Sequence, residues 1–259
     1  MQALNNKQVV KASLACLASI FVLGTTSQVN HGGEFLFSPV SVNAQTVSPE
    51  DQAQKILGQL VELYPETPLP NHILTAQSPE FLSAATTGQE KDGKFKILYY
   101  ATENPIDLDD TKVNNLQPLA SFEKVTYPDK NQAQEAVNQV IDPNGQEIDL
   151  GYGIIGYQNG GAGSRFTYWQ EGNWALGVRT PNMENAEFIE LPYQVVTYLE
   201  EHLLPAPRDK GQISLDEGAA SDLGVNQIIW QEDNIVYSIS HVDPMAAIIM
   251  ATSITEAAE

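Results

Sequence analysis

Apolar positions recur at two periods along this chain. Ile56, Leu57, Leu60 and Leu63 fall three and four residues apart, one face of a helix over residues 48–64. Ser48, Pro49 and Asp51 supply a cap, a first-turn proline and a Ser-x-x-Asp box. The proline-rich PETPLPNH then stops the helix, and residues 66–93 read as loop, with a short helix from Pro79 to Ala85. Alternation with a period of two predicts strands over 94–101 and 119–127, either side of an acidic turn region. A helix over 128–141 and a DPNG turn at 142–145 follow.

Beyond Gly145 the pattern is written twice. Trp-Gln-Glu-x-Asn occurs at Trp169–Asn173 and again at Trp230–Asn234. Each copy precedes an alternating strand, in which Trp174, Leu176 and Val178 answer to Ile235, Tyr237 and Ile239. The pairs Gly172-Asn173 and Asp233-Asn234 are residue types that suit two-residue hairpin turns. A Gly-Gln strand start precedes each copy, at 145 and 211, and a helix follows each, over 191–204 and 243–254. These features predict an α+β fold: a mainly antiparallel sheet with helices packed on it, and a duplicated strand–hairpin–helix unit at 145–204 and 211–254. Residues 45–144 form an N-terminal α/β part and 145–259 a C-terminal part.

Composition changes the picture mainly at the N-terminus. Lys7 and Lys11 precede an uncharged apolar run, Ala12–Thr26. That is a signal-peptide core, short of the ~20 residues a spanning helix needs. Residues 1–44 are therefore expected to be a signal peptide, cut after Ala44 or nearer Thr26. The only cysteine, Cys16, lies inside it, which leaves no disulfide or thiol chemistry beyond. The expected location is periplasmic or extracellular, with no stable membrane insertion after cleavage. The net charge is −20, with 13 basic against 33 acidic residues, and the three arginines are scattered. Nucleic acid is an unsuitable partner for such a surface.

Candidate chemistry is sparse. Trp169 and Trp230 stand beside turns, where they could serve as ligand platforms, but register-fixing core residues are the favoured reading. His72, His202 and His241 show no metal or protease spacing. Ser164 lies in a glycine loop without a Gly-x-Ser-x-Gly frame, and the glycines of 151–163 lack both phosphate-binding frames. Glu103, Asp107 and Asp109 are oxygen donors close in sequence, a candidate weak divalent-cation site, although the spacing is not that of an EF-hand. No catalytic residue and no cofactor is assigned.

Residues 211–254, with Trp230 before a turn, Tyr237 in the next strand, and Ala251 and Ser253 in the final helix, resemble a small extracytoplasmic bacterial domain of unknown function. The resemblance implies a strand, a Trp-turn hairpin and a closing helix, and no catalytic residues. The sequence thus favours an exported, non-catalytic binding or interaction module with a protein or small-molecule partner. An exported hydrolase, glycan-directed and using carboxylates unpaired in sequence, is the competing reading; a cation binder is the third.

Overall fold

The computed structural model describes residues 47–73, 80–182, 190–218 and 223–256, with side chains to 254. The expected signal segment, 1–44, lies outside these residues. Ten strands form one sheet. In chain order they are β1 (Phe81–Gln89), β2 (Lys94–Thr102), β3 (Ala120–Thr126), β4 (Gln146–Asp149), β5 (Ile155–Gly161), β6 (Ser164–Glu171), β7 (Trp174–Pro181), β8 (Gly211–Asp216), β9 (Asn226–Glu232) and β10 (Ile235–His241). Among the described residues four α-helices accompany them: α1 (Pro49–Leu63), α2 (Lys130–Ala136), α3 (Leu191–Leu199) and α4 (Pro244–Glu256). The order across the sheet is β1-β2-β3-β10-β9-β8-β7-β6-β5-β4. Every neighbouring pair is antiparallel except β7 and β8. Parallel neighbours need a crossover, and the segment carrying α3 provides it. The fold is therefore α+β with a mostly antiparallel sheet. Strands from 45–144 and from 145–259 share that sheet, because β3 pairs with β10.

α1 starts as its sequence dictates: Ser48 Oγ accepts from the Asp51 N–H at 3.1 Å and donates to the Asp51 carboxylate. Ile56 and Leu60 then bury completely against Leu82, Ala84, Phe95 and Ile97. α4 is capped in the same manner, by Asp243 Oδ1 accepting from Ala246 N at 2.7 Å.

Two expectations are corrected. Residues 81–89 are a strand, not loop and short helix: FLSAATTGQ has weak alternation, but all nine residues pair with β2 and α1 covers Leu82 and Ala84. Tertiary pairing decides where local preference is indifferent. The second helix is also shorter than 128–141. It ends at Ala136, because Val137 turns out of the helix (φ −88°, ψ 98°) to bury with Ala133 and Val236. The chain then takes sheet partners: Val140 N donates to Gln212 Oε1 at 2.7 Å, and Gln139 Nε2 donates to the Asn173 and Gly211 carbonyls. α1, α3 and α4 pack into the main core, whereas α2 and this strap lie on the other face.

The core face carries a row of rings. Tyr64 stacks on Phe95 at 3.8 Å between centroids. Phe95 meets Phe122 at 6.1 Å, Phe122 meets Tyr237 at 6.1 Å, and Tyr237 stacks on Trp230 at 5.2 Å. Trp230 reaches Trp174 at 6.3 Å across β8, where Gly211 opposes both tryptophans. A Cβ on Gly211 would lie 2.4 Å from the Trp174 ring. The row continues from β9 to β7 only because that position has no side chain.

Candidate functional site

The two Trp-Gln-Glu-x-Asn segments adopt the same local structure. Each closes a two-residue hairpin, Glu171 pairing with Trp174 and Glu232 with Ile235. The first turn residue is left-handed in both, at φ 56° for Gly172 and for Asp233. Trp169 Nε1 donates to Glu171 Oε1 at 2.7 Å, and Trp230 Nε1 donates to Glu232 Oε1 at 2.8 Å. Asn173 Nδ2 donates to the Pro207 and Arg208 carbonyls, and Asn234 Nδ2 to the Tyr127 carbonyl. Trp169 and Trp230 are only 3% and 1% exposed, so neither indole is a platform open to solvent. The motif is a means of locking a hairpin to its neighbours.

The exposed aromatics are others. Trp169 points to the core, so Phe166 and Tyr168 on β6 point to the opposite face. Register places Tyr157 and Gly177 on either side of Tyr168 on that face. Gly177 lets the Tyr168 ring lie against β7, with ring carbons 3.1–3.2 Å from where a Cβ would stand. All three rings are half-buried. The strap from α2 crosses here and divides the surface into two grooves. One, of about 260 Å³, is lined by Val140, Phe166, Tyr168, Arg179, Gln212 and Asp216 among others. The second, of about 210 Å³, includes Ile141, Asp142, Ile155, Tyr157, Tyr168 and Gln170. Val140, Ile141 and Ile155 are 42%, 51% and 44% exposed, a concentration of apolar surface framed by polar groups. One of these is an ion pair, Arg179 Nη1 donating to Asp216 Oδ1 at 2.8 Å.

Two further hollows lie elsewhere on the surface, the first of them more polar. The larger, about 670 Å³, opens where α1 ends and includes Tyr64, Glu66, Thr86, Glu90, Lys91 and Asp109 in its lining. Behind it Lys124 Nζ donates to Thr67 Oγ1 at 2.8 Å and to Glu90 Oε1 at 3.0 Å. Burial pushes the Glu90 carboxyl up, but bonds from the Thr67 hydroxyl, Lys124 and the Glu66 N–H outweigh it and hold the group below the usual carboxylate range. The second hollow, about 330 Å³, lies between the first hairpin and the chain after α3, with Glu171, Trp174, Leu199 and His202 in its wall. Burial raises the Glu171 carboxyl, the Trp169 bond opposes that rise, and Glu200 adds to it.

The cation candidates are not brought together. Asp107 is paired with Lys55 at 2.5 Å. Asp109 accepts from the Thr86 N–H at 2.6 Å and from the Thr86 hydroxyl, and Glu103 is exposed. Among the described residues no group of three or more His, Cys, Asp or Glu side chains could hold a metal ion. No helix of the described residues is long and apolar enough to cross a membrane. The sequence reading passed over Tyr157, Phe166 and Tyr168, although β6 carries aromatics on both faces and only one face can enter the core. No family model, no curated protein and no solved structure matches this chain.

Proposed function

We propose that this protein is exported and acts outside the cytoplasm as a non-catalytic binding module, with the sheet face around Tyr157, Phe166 and Tyr168 as its contact surface. The observation that carries this reading is the pair of grooves astride the strap, where half-buried rings and exposed aliphatics stand beside Gln170, Asp142 and Gln212. Rings with one face open and amide or carboxylate neighbours suit a partner that is flat and apolar on one side and hydrogen-bonding at its edge. The basic-then-apolar start of the chain and its lack of cysteine beyond residue 44 support export. The test uses residues 45–259 against a random-peptide display library and an oligosaccharide array. Binders should lose at least tenfold in affinity on Tyr168→Ala or Phe166→Ser, with the urea midpoint nearly unchanged. Binders insensitive to both substitutions would refute the assignment.

We also propose that the sheet contains a duplicated unit, β5-β6-β7-α3 and β8-β9-β10-α4. The recurring indole–carboxylate bond, turn geometry and asparagine contacts support it. The sequence match sets Gly145-Gln146, at the start of β4, against Gly211-Gln212 of β8; this alignment instead sets β5 against β8, because each pairs with the first strand of its hairpin, and makes β4 an addition at the sheet edge.

One observation favours the competing hydrolase reading: Glu171, a raised carboxyl in a hollow with His202 and near Glu200, has the character of a general acid. The matching Trp230–Glu232 bond weighs against it, since the same arrangement recurs as hairpin architecture. Oligosaccharide turnover lost in Glu171→Gln would reverse that judgement.

A further inference from the structure

His241 is the last residue of β10 and is completely buried. Its Nδ1 accepts from the Asp243 N–H at 2.9 Å, so the neutral ring carries its hydrogen on Nε2 and donates it to the Ile73 carbonyl at 3.1 Å. Beside it, Ser253 Oγ on α4 accepts from the Asn71 and His72 N–H groups at 3.1 and 3.3 Å. Ile73 is buried in the core, while Asn71 and His72 are exposed. Residues 71–73 are thus fastened to β10 and α4 by one imidazole and one hydroxyl.

We propose that His241 is a proton-operated latch: a proton added at Nδ1 sets an N–H against the Asp243 N–H, the ring swings out of that clash, and the swing draws Nε2 off the Ile73 carbonyl and releases residues 71–73 from the core while the sheet stays folded. The geometry sets the added proton against a donor, because the group bonded to Nδ1 among the described residues is the Asp243 N–H. Burial already disfavours the imidazolium, which puts the His241 ring below the ordinary histidine range; the Ile73 carbonyl and the nearby Asp243 oppose this in part. The sign follows from linkage: a lowered histidine contributes stability in full above about pH 6.5, and that contribution is lost as pH falls from there through the folded-state value. The other ionisable groups that face this corner are Asp243, whose carboxylate caps α4, His72 within the latched segment, and Glu50, which shares a hollow with His72. The partners brought by the neighbouring elements, Ser253 on α4, Ala120 on β3 and Asn226 on β9, are uncharged. What opens is the edge of a hollow of about 330 Å³ lined by Ala53, Leu57, Ile73 and Leu82, so acid would widen an apolar recess between α1 and β1.

Hydrogen exchange between pH 7.5 and 5.0, corrected for intrinsic rates, tests the latch in His72→Gln protein, which removes the neighbouring imidazole. The Asn71 amide should lose at least tenfold in protection across this range, with the amides of β9 unchanged. In His72→Gln/His241→Gln the pH dependence should vanish. An equal loss in the double variant, or simultaneous loss at β9, would overturn the proposal. Should the double variant fail to fold, an NMR titration of the His241 ring decides: protonation that leaves Asn71 protected refutes the latch, and protonation in step with its exposure supports it.

Discussion

Gly211→Ala isolates the tightest contact in the ring row. Gly211 has ordinary negative φ, so alanine meets no backbone penalty and would gain about 0.4–1 kcal/mol by restricting the unfolded chain. Against that, the new methyl would stand 2.4 Å from Trp174 Cε3 and 2.7 Å from Cδ2 and Cζ3. The indole cannot retreat freely, because its Nε1 donates to the Pro205 carbonyl at 3.2 Å and its ring meets Trp230. Overpacking of this kind costs about 1–3 kcal/mol, and losing the indole bond adds about 1 kcal/mol. The net destabilisation is about 2 kcal/mol. With a urea slope of about 2–3 kcal/mol/M for a domain of this size, the midpoint should fall by nearly 1 M, followed by tryptophan fluorescence. In a Trp174→Leu background the same substitution should be neutral or slightly stabilising, giving a coupling energy of about 2 kcal/mol. An equal cost in both backgrounds would refute the steric account.

The indole–carboxylate bonds make a paired prediction: Trp169→Phe and Trp230→Phe should each cost about 1–3 kcal/mol in chemical denaturation, since each leaves a carboxylate that has lost its donor. Markedly unequal costs would argue that the two hairpins are not equivalent. Glu171 has its carboxyl raised by burial, so its favourable contribution holds below the ordinary carboxylate value and is lost as pH rises through the folded-state value. Glu171→Gln, which keeps an acceptor for Trp169, should therefore gain stability relative to the parent at pH 8 compared with pH 4, read from urea midpoints. Lys124→Met should cost about 3 kcal/mol by stranding Glu90 beside Thr67, and adding Glu90→Gln should recover part of it; thermal melts of the three proteins provide the comparison.

The hairpins and α1 were legible because turn residues, caps and period-two alternation are local. Ser48 caps α1, and Gly172 and Asp233 take the left-handed φ their positions suggest. β1 was not legible, since Ala84 and Thr86 become strand residues only when β2 pairs with them. The end of α2 was hidden for a related reason: Val137 leaves the helix to meet Val236, 99 residues away in sequence. The aromatic face was half visible. The alternation Phe166-Thr167-Tyr168-Trp169 shows rings on both sides of one strand, but which side stays open depends on where α1, α3 and α4 pack.

The pairing of β3 with β10 has a consequence for biogenesis. A chain that emerges N-terminus first completes the β1-β2-β3 meander with one border of β3 bare, and its complement is the penultimate element to arrive. Such contacts, distant along the chain, close late and slowly. Until they do, the growing polypeptide has an unzipped seam inside its future sheet, three strands from one edge, and truncation anywhere before Ile235 would leave that seam permanently open to aggregation.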